Sequence, residues 1–234
     1  MERIDKIISK QTHYSRKEIK KMISYGMIHV NNEQVKKPES KYDENNISIK
    51  INGKEIEIKK HIYLLLNKPE GYISTTDTKT KKTVLDLIPD KYKNRELFPA
   101  GRLDKDTTGL MLITDDGQLA HNILSPKKHV KKTYEVTIDI PITEEMVKEF
   151  KEGVKLNDGQ CKSAILEITG EYAAKVTLVE GRYHQIKRMF GCFGAKVIKL
   201  HRICMGNLEL PKDLEPGMFR EATEVELEKI QEKN

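Results

Sequence analysis

Apolar residues at the start of the chain recur first at helical and then at strand spacing. Ile4, Ile7 and Ile8 share one helical face. A second helix is announced by Ser15-Arg16-Lys17-Glu18, a capping box in which Ser15 and Glu18 satisfy free amides of the first turn. Ile19, Met22 and Ile23 line its inner face and Gly26 ends it, which leaves Arg16, Lys17, Lys20 and Lys21 mostly to solvent. The period then shortens. Ile28-His29-Val30, a turn at Asn31-Asn32, and Ile47-Ser48-Ile49-Lys50-Ile51 before Asn52-Gly53 predict short strands joined by hairpin turns.

From Tyr63 onward the pattern changes to apolar strands separated by loops: Tyr63 to Leu66, Leu110 to Ile113, Thr133 to Ile138, Ala164 to Ile168 and Ala174 to Val179. Helices are sparser and are expected over Val84 to Ile88, Gln118 to Leu124, Thr143 to Glu152, Tyr183 to Cys192 and from a second capping box, Thr223-Glu224-Val225-Glu226. The acidic character of that last helix suits a structural lid better than a binding surface. Runs of strands with a few interposed helices predict an α+β fold with a mixed, mostly antiparallel sheet and flanking helices. The charged stretch around Lys59-Lys60-His61 reads as a linker, so the expected division is a small α/β module at 1–59 and a larger body at 60–234.

Charge sharpens that division. The formal net charge is +6, but residues 1–60 hold 14 Lys and Arg against 9 Asp and Glu, while the remainder holds 28 against 27. A basic module on a near-neutral body suggests a grip on a polyanion joined to another task. Cys161, Cys192 and Cys204 form no C-x-x-C pair and do not combine with histidines at zinc spacing, which fits thiols in a reducing compartment. The first residues are charged, with no signal-peptide core behind them, and no apolar run approaches the ~20 residues needed to span a bilayer; a soluble cytoplasmic protein is expected.

The chemistry concentrates in three segments. Gly101-Arg102-Leu103-Asp104-Lys105-Asp106-Thr107-Thr108-Gly109 sets an acid beside an arginine in a glycine-bounded turn that feeds an apolar strand. Lys131-Lys132-Thr133-Tyr134-Glu135-Val136 is a strand with one tyrosine among lysines. Glu180-Gly181-Arg182-Tyr183-His184-Gln185-Ile186-Lys187-Arg188-Met189 leads from a glycine turn into a basic helix, and Val197 to Arg202 follows. A carboxylate, an aromatic face and a cation suit metal-free nucleic-acid chemistry: one attacks, one stacks on a base, and one keeps the carboxylate ionised.

These segments resemble the ribosomal RNA pseudouridine synthases that carry an N-terminal S4 RNA-binding domain, nearly end to end from Arg3 to about Glu228. Gly101 to Gly109 with Thr114-Asp115-Asp116-Gly117 is similar to the family's catalytic-aspartate motif, and Leu66-Asn67-Lys68-Pro69-Glu70-Gly71 to its entry strand and turn. Ser15 to Val30 is similar to S4 domains, with Asn32 where glycine is common; both residues tolerate positive φ. The Tyr-His-Gln-Ile-Lys wording favours the small-subunit branch, which implies a uridine of 16S rRNA at a U516-type site, presented in a small-subunit assembly intermediate; a monomer is expected, since such a substrate is large and no interface pattern stands out in the sequence.

Carried over residue by residue, the resemblance implies that Asp104 is the catalytic aspartate and Lys187 its cationic partner, where many relatives use arginine. Tyr134 stacks on the uracil, Leu200 presses on the other face of the base, and Arg102 steadies the flipped nucleotide or its phosphate. Arg16, Lys17, Lys20, Lys21, Arg182 and Arg188 are the expected contacts to RNA phosphates. No cofactor and no metal are implied. Asp104 either adds to the sugar carbon or removes a sugar proton. His184 receives no role in this chemistry.

Two other readings compete. Asp104-Lys105-Asp106-Thr107-Thr108 also fits D-x-D-x-T, the Mg²⁺-dependent loop of haloacid-dehalogenase-like phosphatases, but that loop follows a hydrophobic strand directly in a doubly wound sheet, and here Phe98-Pro99-Ala100-Gly101-Arg102 precedes it. A non-catalytic S4-type RNA-binding or assembly protein needs the basic patch without Asp104, Tyr134 and Lys187 together.

Overall fold

The computed structural model describes residues 1–77, 79, 82–125 and 130–232; the last two positions of the expected second domain lie outside the described residues. Contacts divide the chain into one unit of Met1–Ile62 with Ile88–Leu97, and another of Tyr63–Leu87 with Phe98–Asn234.

In the first unit, β1 (Glu2–Arg3) leads into α1 (Ile4–Gln11), then α2 (Arg16–Ser24), β2 (Ile28–Val30), β3 (Glu33–Gln34), β4 (Lys41–Tyr42), β5 (Ile49–Ile51) and β6 (Lys54–Ile56). The Ser15–Glu18 capping box forms as the spacing predicts. The strands order β3-β2-β5-β6, all antiparallel, and β1 pairs separately with β4. Asn31 and Asn32, and then Asn52 and Gly53, all take positive φ, which is what two-residue hairpin turns demand. Ile4, Ile7, Ile8, Ile19 and Ile23 pack on Ile28, Val30, Ile49 and Ile51 to form the core; each such side chain contributes about 1.5–3 kcal/mol when fully buried.

The segment Ile88–Leu97 joins this unit through its side chains. Asn94 Nδ2 donates to the carbonyls of Thr12 (3.0 Å) and Tyr14 (2.9 Å) just past the end of α1. The buried Arg95 donates to Gln11 Oε1 (2.7 Å) and to the Lys59 carbonyl (2.6 Å). Carbonyls that follow a helix end need such partners.

The second unit contains β7 (Tyr63–Lys68), β8 (Phe98–Pro99), β9 (Thr108–Thr114), α3 (Gly117–Leu124), β10 (Lys132–Ile138), α4 (Glu144–Glu152), β11 (Lys155–Leu156), β12 (Gly159–Gln160), β13 (Ile165–Gly170), β14 (Ala173–Leu178), α5 (Gln185–Gly191), β15 (Val197–Met205), β16 (Leu208–Glu209), β17 (Phe219–Glu221) and α6 (Glu224–Gln231). The helix expected over Val84 to Ile88 is a 3₁₀ turn, Val84–Leu87. The helix expected from Tyr183 starts at Gln185, because His184 sits at φ +48°, a left-handed backbone that cannot continue a helix.

Among the described residues the main sheet has nine strands in the order β13-β14-β10-β15-β9-β7-β17, with β16 on β15 and β8 on β9. Among the described strands of this sheet, only the β9–β15 pairing is parallel. The fold is therefore α+β with a mixed, mostly antiparallel sheet, and the doubly wound phosphatase architecture is excluded. Leu110 to Ile113 on β9 are buried on both faces, as a continuous apolar run requires of a central strand. Leu65, Leu112, Ala120, Ile123 and Met205 form one core, to which α6 contributes Ile230. On α4 and α5, Phe150 and Phe190 meet with ring centroids 4.9 Å apart.

Candidate active site

The loop between β8 and β9 carries Asp104 and is pinned from below. Lys68, at the end of β7, is fully buried, and its ammonium donates to the carbonyls of Thr107 (2.7 Å), Lys105 (3.2 Å) and Pro69 (3.2 Å). Burial pushes its pKa down to about 8. Ser74 Oγ donates to the Leu103 carbonyl at 2.7 Å and lies 3.1 Å from the Leu103 amide, and the Gly71 amide donates to the Lys105 carbonyl at 2.8 Å. The motif Leu66 to Gly71 thus shapes the loop rather than entering the cavity itself. Where the loop rejoins the sheet, Gly109 has φ +104°, and a Cβ there would lie 2.3 Å from the Arg202 carbonyl oxygen. Glycine is what lets β9 and β15 pair here.

The approach to α5 is held just as firmly. Gln185 is buried; its Oε1 accepts from the Arg182 amide (3.0 Å) and its Nε2 donates to Glu180 Oε1 (2.7 Å), which also accepts from the Lys162 amide (2.9 Å). This fixes the turn that presents His184 and Lys187.

These loops and the face of β10, β14 and β15 line an open cavity of about 470 Å³. Asp104, Arg102, Tyr134, Lys187, Leu200 and Arg202 line it. Asp104 is a quarter exposed, with Lys187 Nζ 3.2 Å from Oδ2 and His184 Nε2 3.4 Å from Oδ1. Lys187 also donates to Asp106 Oδ1 at 2.6 Å, so one ammonium serves two carboxylates. That hydrogen bond, more than any other interaction, holds the Asp106 pKa below its ordinary value. Burial pulls the Lys187 pKa down, but the hydrogen bonds to Asp106 and Asp104 outweigh it, and the net shift is upward. Tyr134 and Leu200 are nearly buried, 9% and 8% exposed, and offer a ring and an apolar side chain to the same space. Tyr183 is 70% exposed and stacks on His184 with ring centroids 3.8 Å apart.

The expected phosphate-binding residues divide into two groups. Lys17, Lys20 and Lys21 are exposed on α2. Arg16 is committed to Asp5, its Nη2 2.9 Å from Oδ2. Arg188 donates to Asp158 Oδ2 at 3.1 Å, and Arg182 to the Gly159 carbonyl at 3.0 Å with Glu180 3.5 Å away. Each of these three arginines thus has an acidic or carbonyl partner within the chain, while Arg16 stays exposed and Arg182 and Arg188 keep part of their side chains at the surface.

Sequence reasoning passed over His184, Asp106, Lys132 and Arg202, all of which border or brace the cavity. Asp106 was legible as the second acid of D-x-D. Lys132 lies two residues before Tyr134 and therefore on the same face of β10. Among the described residues no group of His, Cys, Asp and Glu has a metal-binding arrangement, and no helix is long and apolar enough to cross a membrane.

Comparison with known proteins agrees with this architecture. A family model described as RNA pseudouridylate synthase matches residues 62–191, and a model of the S4 domain matches residues 2–47. The chain is 39% identical to the uncharacterized RNA pseudouridine synthase YtzG of Bacillus subtilis, over 98% of each chain. It is 44% identical to ribosomal small subunit pseudouridine synthase A of Escherichia coli, over 72% of this chain and 73% of that one. A crystal structure of a pseudouridylate synthase superposes with a TM-score of 0.69 at 37% identity, covering 98% of this chain and all of the other.

Proposed function

The chain belongs to the RNA pseudouridylate synthase family, with an S4 domain ahead of the synthase domain, and from that premise we propose that it isomerises one uridine of the small-subunit ribosomal RNA through Asp104. One observation carries this reading most strongly: Asp104 stands at the wall of a cavity, 3.2 Å from Lys187, with Tyr134 and Leu200 lining the same space. The cavity is of the size that accepts a single small ligand group.

A uridine flipped out of its stack enters between Tyr134 and Leu200, and Asp104 acts on the sugar. Unstacking costs a few kcal/mol, least where the RNA is single-stranded or distorted. The bond from N1 to C1′ breaks with its electron pair going to the base. Asp104 either adds to C1′ or takes the C2′ proton. The base turns and C5 bonds to C1′, as the carboxylate leaves or the proton returns to C2′. The C5 hydrogen departs to solvent and N1 takes up a proton. Nothing is added or removed overall, so the reaction draws on no cofactor. Lys187 holds Asp104 in position, and the exposed Arg102 reaches the flipped nucleotide or its phosphate.

Lys17, Lys20 and Lys21 supply the salt-dependent grip of the S4 domain. Arg16, Arg182 and Arg188 contribute more to the shape of the binding surfaces than to free charge. The substrate is 16S rRNA in an assembly intermediate, modified at a U516-type site by a cytoplasmic monomer; the likeness to ribosomal small subunit pseudouridine synthase A supports this.

The test is to incubate small-subunit rRNA, free and as an assembly intermediate, with wild-type and Asp104→Asn proteins in EDTA, then map pseudouridine by carbodiimide labelling and primer extension. One stop that depends on Asp104 is expected. A blank on both substrates, followed by a blank on large-subunit rRNA, would leave an RNA-binding assembly protein.

A further inference from the structure

The deep end of the cavity is more cationic than the proposed chemistry at the sugar requires. Tyr134 on β10 pairs across the sheet with Arg202 on β15, and Lys132 lies two residues along β10 opposite Leu178 of β14. The strand period places Lys132, Tyr134, Leu178, Leu200 and Arg202 on one face, and all of them line the cavity. Lys132 and Arg202 are 6% and 2% exposed.

Neither cation makes an ion pair with a carboxylate among the described residues. Lys132 Nζ donates to the Ile123 carbonyl at 3.1 Å, and Arg202 Nε donates to the Leu110 carbonyl at 2.6 Å. The buried Arg202 Nη2 has no hydrogen-bond partner among the described residues, and neither has the hydroxyl of Thr107, which is 2% exposed and also lines the cavity. Burial, and after it the charge of Arg202, pushes the Lys132 pKa down to about 8. Two buried cations without an acid cost stability, and unsatisfied buried donors cost more. Such a cluster at the end of a cavity awaits an electron-rich partner.

We propose that Lys132, Arg202 and the Thr107 hydroxyl form an electrophilic floor that binds the carbonyl edge of the uracil and takes up the negative charge that develops on the base as its N1–C1′ bond breaks. This rests on the reading of the chain as a uridine isomerase. When the bond breaks, both electrons go to the base, and the charge spreads over N1, O2 and O4. Fixed donors aimed at those oxygens stabilise the departing anion more than the neutral base. When C5 bonds to C1′, the C5 hydrogen leaves as a proton and N1 gains one. The base is neutral again and the floor returns to its starting state. Asp104 and the floor thus divide the work: one meets the electron deficit of the sugar, the other the excess of the base.

The test uses leaving-group strength. Small-subunit rRNA is transcribed with uridine or with 5-fluorouridine, whose fluorine itself stabilises the base anion. Single-turnover loss of the target N-glycoside is followed by nuclease digestion and mass spectrometry, and RNA affinity is measured alongside. Lys132→Met should slow the uridine RNA by ~100-fold and the 5-fluorouridine RNA by ~10-fold or less, with affinity unchanged, because a better leaving group needs less help. Thr107→Val should show the same pattern to a smaller degree and guards against misfolding of the lysine variant. Equal losses on both RNAs would overturn the proposal in favour of a packing role, and a loss confined to affinity would overturn it in favour of phosphate binding. Wild-type protein that forms no pseudouridine sinks the isomerase reading itself, whereas active wild type with unaffected variants sinks only the floor.

Discussion

Two aspartates, one in each unit, face two basic side chains apiece, and they end in opposite conditions. Asp5 is wholly buried, and both its oxygens are taken: Arg3 Nε at 3.0 Å and Nη2 at 3.1 Å, Arg16 Nη2 at 2.9 Å and Nε at 3.3 Å. Asp104 is a quarter exposed at a cavity wall, with Lys187 at 3.2 Å and His184 at 3.4 Å, and that lysine lies closer to Asp106. Planar guanidinium groups saturate a carboxylate and fix it. A shared ammonium leaves lone pairs free. The first arrangement holds a helix pair together; the second is available for chemistry.

The sharpest way to break the contrast is to neutralise each acid. Asp104→Asn should lower the single-turnover rate by at least ~10³-fold, with RNA affinity and melting temperature unchanged. Asp5→Asn should do the reverse and cost about 2 kcal/mol in urea denaturation, less than a fully buried pair because Arg3 and Arg16 reach water. Burial works to raise the Asp5 pKa, but hydrogen bonds from Arg3 and Arg16 outweigh it and the net shift is downward. Its stabilisation is therefore present above the ordinary carboxylate pKa and is lost as pH falls through the lowered folded value. The difference between wild type and Asp5→Asn should shrink in acid.

Smaller effects sharpen the picture. Asp106→Asn removes the shorter of the two contacts to Lys187 and should slow turnover by about tenfold through misplacement of the lysine, raising KM little. Equal rates for variant and wild type would show that Asp104 alone positions Lys187. Glu226 is a structural acid of the second unit. The hydrogen bond from Arg220 (2.7 Å), with backbone and hydroxyl help from Thr223, holds its pKa at about 2 against burial. Its contribution is complete above the ordinary pKa near 4.5 and disappears as pH falls through about 2. Glu226→Gln should cost about 1 kcal/mol at pH 7 and almost nothing near pH 2.

What could be read in advance follows from the kind of signal each residue leaves. The S4 helices were legible because isoleucine spacing and a capping box are local. Tyr63 to Leu66 and Leu110 to Ile113 were legible because central strands are continuously apolar. The strand Phe219–Glu221 was not, since Phe-Arg-Glu has no alternation and exists as a strand only through its pairing with Leu64–Leu66. Likewise, nothing local marks Ile88–Leu97 as part of the first unit; its membership comes from Asn94 and Arg95 reaching α1. In the site, glycine turns marked Asp104 and a basic helix marked Lys187. Arg202 and Lys132 were hidden because a charged residue in a strand reads as solvent-facing until register and burial turn it inward. Arg16 is exposed as its position on the outer face of the helix predicts, but nothing local announces its partner, which lies eleven residues back.

The most direct test follows tritium release from small-subunit rRNA transcribed with uridine tritiated at C5, under single turnover and saturating enzyme, for wild type, Asp5→Asn and Asp104→Asn. Release requires C5 to exchange its hydrogen for the sugar, so it reports chemistry and not binding. Wild type and Asp5→Asn should release the label at the same rate, and Asp104→Asn should release none while still binding the RNA. Release by Asp104→Asn at the wild-type rate would contradict the account.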